Sequence, residues 1–285
     1  EVIPVKTLND AVAFICGTQD IKPFVTDMEA VRRQSQDGVP DLTDVKGQAH
    51  VKRALTVAAA GGHNLLMIGP PGTGKTMLAS RLPGILPDMT FEEALETSKV
   101  YSVAGALGED RGLIVQRPFR SPHHTATTVS ICGGGHGQRP IPGEVSMAHN
   151  GVLFLDELPE FTRSALEVLR QPLEEGFVHI RRAMYSVTFP SRFLLVVALN
   201  PCACGYRSHP QKQCRCSAGE IHRYTSRLSR PLLDRIDIHV DVPALTYEEI
   251  SDRLPSGPTS VEVRAIVQAA RDLSLIHISE PTRPY

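Results

Sequence analysis

Four short apolar runs stand out from an otherwise mixed chain: Leu65–Ile68, Val152–Leu155, residues 193–199 and residues 236–242. These runs look like strands buried on both faces of a parallel sheet. Helix-compatible stretches separate them, so the chain is expected to be built from βαβ units in an α/β domain. Any ligand of such a sheet belongs at the carboxyl ends of its strands. Residues 49–60 read as a helix closed by Gly61 and Gly62. That helix either packs near a bound base or simply fills the core. Thr7 and Asp10 have capping-box-like spacing ahead of Ala11, Val12, Phe14 and Ile15, giving one short helix that ends at Gly17. Thr259-x-x-Glu262 caps another, which should run to about Asp272. Residues 177–189 alternate apolar and polar positions, as a hairpin does.

Composition narrows the class. The chain has 285 residues, 41% apolar and 21% charged, ordinary values for a globular protein. Its formal net charge is −1, so nucleic-acid contact would have to come from local basic patches rather than an overall field. No apolar run is long enough to cross a bilayer, and no signal-peptide pattern is present, so the chain reads as cytoplasmic, with no membrane partner. Four of the six cysteines cluster, which in a cytosolic chain points to metal before disulfides. Opening at Glu1 rather than Met, the sequence is expected to be a fragment.

The chemistry begins directly after the first apolar run. Gly69, Pro70, Pro71, Gly72, Thr73, Gly74, Lys75 and Thr76 lie between that run and a helical segment starting at Met77. This is the strand, glycine-rich loop and helix of a phosphate-binding P-loop. Its amides and helix N-terminus would cradle ATP phosphates, Lys75 would reach the β- and γ-phosphates, and the Thr76 hydroxyl would bind Mg²⁺. The second run ends in Asp156 and Glu157. Asp156 can complete the Mg²⁺ shell, and Glu157 can orient and deprotonate an attacking water. Asn200 closes the third run and either aligns that water or serves as a turn residue before Pro201. Arg235 precedes the fourth run. It either stabilises transition-state charge or forms a surface ion pair with Asp234 or Asp237.

Together the loop GPPGTGKT, the acids in GVLFLDELPEF, the asparagine in VVALNPC and the arginine in SRPLLDRIDI resemble an AAA+ ATPase. The segments RPFRSPHHTATTVSICGGG and RPIPGEVSMAHN and the paired cysteines are similar to the magnesium-chelatase-like YifB/ComM family, from about Asp41 to Pro243. The resemblance implies an ATP-hydrolysing ring, usually a hexamer. Within it, Lys75 and Thr76 are the Walker A residues, Asp156 and Glu157 the Walker B pair, Asn200 the first sensor and Arg235 a finger acting on a neighbouring subunit. Members like ComM are associated with branched-DNA remodelling during natural transformation, and the likeness therefore also implies a DNA partner.

Two insertions and the cysteine block complete the picture. Residues 117–143 show no helical period and carry Arg117, Arg120, His123, His124 and Arg139, which reads as a long cationic loop or hairpin. Adjacent histidines would point apart on a strand, with no acid beside them, so a metal site there is disfavoured. Arg181 and Arg182 sit near the tip of the 177–189 hairpin. These basic groups, Arg120 and His123 among them, either meet a DNA backbone at a ring pore or form a solvated charged face. Cys202-x-Cys204 and Cys214-x-Cys216, nine residues apart, can set four thiolates around one structural Zn²⁺, with free thiols or a redox pair as the alternative. Cys16 and Cys132 read as packing residues.

The expected fold is α/β: a P-loop NTPase (AAA+) three-layer core with a parallel sheet, hairpin insertions and a small Cys-rich knob. Residues 1–40 are expected to be the tail of an upstream Lon-protease-like domain plus linker, 41–245 the ATPase core and 246–272 the start of a truncated helical lid. Residues 273–285 resemble a translated sequencing adaptor and are set aside as a non-native tail. The expected function is ATP-driven remodelling of DNA by a ring motor. Two other classes stay open: a chelatase-type motor acting on a partner protein for metal insertion, and a nucleotide-binding scaffold without turnover.

Overall fold

All four apolar runs become neighbouring strands of one sheet. The structure is a computed structural model that describes residues 3–23, 40–108, 112–135, 140–182, 185–207, 209, 211–246, 249, 251 and 257–279. In chain order the strands are β1 (Leu65–Ile68), β2 (Phe119–Arg120), β3 (Gly133–Gly134), β4 (Ile141–Pro142), β5 (Val152–Leu155), β6 (Phe177–Arg182), β7 (Tyr185–Pro190), β8 (Leu194–Leu199) and β9 (Ile238–Asp241). Five of them form the main sheet in the order β2-β5-β8-β1-β9, with every pairing parallel.

The pleat explains why the central strands are apolar throughout. Successive side chains point to opposite faces. Leu65, Met67, Val152, Phe154, Leu194, Val196 and Ala198 enter one buried cluster, while Leu66, Leu153, Leu155, Leu195, Val197 and Leu199 enter the other. The first cluster is closed by the helices Ala49–Gly61, Lys75–Ile85 and Ser260–Ser279 through Leu55, Leu78, Leu82, Val263 and Val267. The second is closed by the Arg163–Glu167 helix and by Val178, Ile180 and Phe189 of the β6–β7 hairpin. Helix, sheet, and helix with hairpin make the three layers.

Residues 117–143 depart from the expected loop. Phe119 and Arg120 add β2 to the sheet edge, and the Phe119 ring stacks on Phe154 at 6.0 Å between centroids. Thr128–Cys132 is a short helix, and β3 pairs with β4. A two-residue strand is too short to show a period. Arg139 lies outside the described residues. The 177–189 hairpin is present as β6–β7, with Arg182 opposite Tyr185 in its last pair.

Helix Phe91–Val103, which no reading of the sequence placed, is started by a reciprocal Thr90–Glu93 capping box. Thr259 and Glu262 cap as expected, but the helix they start runs to Ser279, past the expected end near Asp272. Residues 1–38 form a separate unit, whose described part holds the helix Leu8–Ile15 with its Thr7–Asp10 capping box. No helix among the described residues is long and apolar enough to cross a membrane.

Candidate active site

The P-loop leaves β1 at the carboxyl end of the sheet. Gly69 is held there by its amide, which donates to the Leu199 carbonyl at 3.2 Å. A Cβ at this position would lie 2.2 Å from the Val242 carbonyl oxygen, so only glycine lets the loop pass the end of β9. Gly72 and Gly74 take left-handed φ values of 79° and 84°, and the helix Lys75–Ile85 begins immediately after. Among the described residues, the amides of Gly72, Thr73, Gly74, Lys75, Thr76 and Met77 donate to no backbone carbonyl. A row of unclaimed N–H groups at a helix N-terminus is a cradle for anionic oxygens.

Lys75 lies inside that cradle with 7% exposure. Its ammonium donates to the Gly69 carbonyl at 2.7 Å, the Pro70 carbonyl at 3.0 Å and Asn200 Oδ1 at 3.2 Å. Burial pushes the Lys75 pKa down, while the charges of Asp156 and Glu157 pull it back up. Thr76 Oγ1 donates to Asp156 Oδ2 at 2.7 Å. Residues 125 and 80 positions apart in sequence are thus brought into contact at one rim of the sheet. Glu157 follows with a left-handed backbone, φ 51°, rare for a side chain of its size and a form of strain that clusters at functional sites. Its amide donates to Asp156 Oδ1 at 2.9 Å.

The donor set fits a nucleotide triphosphate and Mg²⁺. Free amides and one buried ammonium suit phosphate oxygens, and a hydroxyl beside a carboxylate suits a hard cation that prefers oxygen.

Arg235 is placed differently. It precedes β9, at the amino end of the strands, opposite the P-loop. Its guanidinium pairs with Glu174, neither of the acids the sequence offered. Asp237 instead accepts from the Asn64 amide at 2.9 Å. The structure therefore does not bring Arg235 to this chain's own Lys75.

Of the cations in residues 117–143, Arg117 is buried and donates to the carbonyls of Pro87 and Asn150 and to Glu93. Arg120 forms a two-point ion pair with Glu144 at 2.6 and 2.8 Å. Both guanidiniums are committed within the chain, which the sequence pattern did not foresee. His123 and His124 are not on a strand, and their rings lie 4.0 Å apart instead of pointing away from each other. His124 Nδ1 stands 3.6 Å from Glu157 Oε2, so an acid does sit beside the pair. Arg181 is exposed on β6.

The cysteine block follows Asn200 directly. The sulfurs of Cys202, Cys204, Cys214 and Cys216 all lie within 4.8 Å of one another. Three of the separations are 3.4, 3.6 and 3.7 Å. Four sulfurs placed tetrahedrally at about 2.3 Å from one Zn²⁺ would be about 3.8 Å apart, so the spacing fits that ion. The Tyr206 and Arg215 amides hold the Cys204 thiol down to about 6. Gly205, between the cysteine pairs, leans on the P-loop: a Cβ there would lie 2.6 Å from Pro71 Cδ.

Residues 41–250 match the family model described as magnesium chelatase, subunit ChlI. The chain belongs to the magnesium chelatase ChlI family. It is 48% identical over 273 residues to the competence protein ComM of Haemophilus influenzae, covering 95% of this chain and 52% of that protein. It is 47% identical to the uncharacterized protein YifB of Escherichia coli, covering 93% of this chain and 51% of that one. The ChlI subunit of magnesium chelatase from Cyanidium caldarium is 25% identical, over 78% of this chain and 62% of its own length. The chain thus spans about half the length of the ComM and YifB relatives it matches. A structure of the complex between subunits BchI and BchD of magnesium chelatase shares the fold, with a TM-score of 0.50, 21% identity, and coverage of 81% of this chain and 65% of that one.

Within this ChlI-family site, sequence reasoning missed two residues. Tyr224 is buried beside the Asn200 amide, and burial pushes its phenol up to about 12. His124 reaches Glu157 only because β2 joins the sheet beside β5. Neither contact has a local sequence signal, since one depends on where the Ala218–Thr225 helix packs and the other on which strands become neighbours.

Proposed function

We propose that this chain is the ATP-hydrolysing core of an AAA+ ring motor that remodels DNA. The observation that carries the reading is the meeting of Lys75, Thr76, Asp156 and Asn200 at the carboxyl ends of β1, β5 and β8. Lys75 and the amides of residues 72–77 bind and orient the β- and γ-phosphates. Thr76 and Asp156 would hold Mg²⁺, which neutralises charge building on the phosphate oxygens. Glu157 accepts the proton of the water attacking the γ-phosphate, and Asn200 aligns that water. Arg235, exposed at the far end of the strands, is offered to a neighbouring subunit's nucleotide, which makes the working unit an oligomer, most simply a hexamer. Cys202, Cys204, Cys214 and Cys216 hold a structural Zn²⁺. Residues 41–245 are the motor core and 246–272 the beginning of a helical lid, in a cytoplasmic protein whose residues 1–40 trail an upstream domain.

The DNA part of the reading is supported by the 48% identity to a protein named for competence. A chelatase-type motor acting on a partner protein is the second reading, supported by the ChlI name of the matching family model. ATPase assays with single-stranded and forked DNA, set against candidate protein partners, separate the two. In those assays Glu157→Gln should retain ATP binding and lose about 10²- to 10⁴-fold in kcat, while Lys75→Ala should lose binding itself. Unchanged turnover in Glu157→Gln would leave only a nucleotide-binding scaffold. For the cysteine cluster, metal analysis should return one zinc per chain, and Cys202→Ser should lose the zinc and melt at lower temperature.

A further inference from the structure

Charge is unevenly divided along this chain. Residues 200–230 hold six Lys and Arg against a single acid, Glu220, whereas the remainder holds 24 Lys and Arg against 30 Asp and Glu. A net charge of −1 therefore conceals a segment at +5 on an acidic body. Four thiolates on one divalent ion would bring the segment to about +3, still opposite in sign to the rest.

The fold gathers this charge. Because the four sulfurs converge within 4.8 Å, Arg207, Lys212 and Arg215 each lie within three residues of a common centre. All three side chains are exposed. Among the described residues none of the three is in an ion pair, unlike Arg227, which Glu160 neutralises at 3.2 Å. Lys212 is held over the Tyr206 ring, its ammonium 4.9 Å from the centroid, and the His209 ring braces Tyr206 edge-on at 5.6 Å. An ammonium fixed over an aromatic face loses little freedom when it meets an anion.

We propose that the cysteine knob is a nucleic-acid contact in its own right, with Arg207, Lys212 and Arg215 docking the phosphate backbone of DNA. The proposal rests on the DNA reading above and adds a binding element that the β6–β7 hairpin does not supply. Three unpaired cations on a compact body read charge and not sequence, so binding is salt-dependent and indifferent to base order.

The test measures DNA affinity by fluorescence anisotropy across a salt series, using the whole chain and a labelled single-stranded oligonucleotide. The triple variant Arg207→Ala, Lys212→Ala, Arg215→Ala should lower the slope of log affinity against log salt by about 2. Affinity for a fluorescent ATP analogue, the zinc content and the melting temperature should stay at the parent values, which separates a lost contact from a lost fold. A variant with Arg207→Lys and Arg215→Lys should keep the parent slope; a slope that falls there as well overturns phosphate docking. If the parent binds DNA and the triple variant keeps its slope, the knob proposal fails while the DNA reading stands. If the parent binds no DNA at any salt, both fail together.

Discussion

His149 ties the Phe91–Val103 helix to the segment that leads into β8. It is 1% exposed, accepts the Arg192 amide on Nδ1 at 3.1 Å and offers Nε2 to Glu96 at 3.2 Å. Burial pushes its pKa below the ordinary 6.5, with Glu96 partly restoring it. The folded form is thus the weaker base, and the unfolded chain takes up the proton first. Its contribution to stability is complete above pH 6.5 and declines as the pH falls from there towards the lower folded value. Urea unfolding at about pH 7.5 and about pH 5.5 should show that decline, and His149→Gln should shrink it. An equal decline in the variant would assign the effect to other groups. At this scale the P-loop and acidic pair were legible because each is a contiguous motif. The His124–Glu157 approach was not, because only the placement of β2 creates it.

Among the elements, the β6–β7 hairpin carries an exposed arginine, Arg181, that is in no ion pair among the described residues. Its apolar positions Val178, Ile180 and Phe189 seal one face of the sheet, which fixes the register and leaves Arg181 exposed. Arg181→Ala with Arg182→Ala should weaken DNA binding and lower the salt slope by about 1 to 2, read by the same anisotropy titration. An unchanged slope would remove the hairpin from the DNA surface. Alternation made this hairpin readable from the sequence, and continuous apolar runs did the same for β1, β5 and β8. Helices Phe91–Val103 and Ala218–Thr225 were overlooked although Thr90-x-x-Glu93 and Ser217-x-x-Glu220 carry the same capping signature as Thr259-x-x-Glu262. The strand β2 had no such signal: two residues cannot display a period, and Arg120 is tolerated there only because Glu144 neutralises it.

For the molecule as a whole, the two buried clusters lie on opposite faces of β5 and β8. Phe154 is fully buried there, and Phe119 stacks on it from β2. Phe154→Ala should cost about 3–5 kcal/mol, seen as an earlier urea midpoint. A loss below about 1 kcal/mol would mean the sheet edge repacks freely. The same sheet places the phosphate cradle at one end of its strands and Arg235 at the other. Under the proposed function, those two ends would belong to the sites of two different subunits.

Gly205 gives that arrangement one more consequence. Its bare Cα rests against Pro71, with no room for even a methyl group between the thiol cluster and the loop of residues 69–76. The two share a wall, so a displacement of the cluster is expected to press on the loop. An alkylating reagent that modifies the four thiols should hasten release of a fluorescent ATP analogue at fixed Mg²⁺, and an unchanged release rate would end the idea.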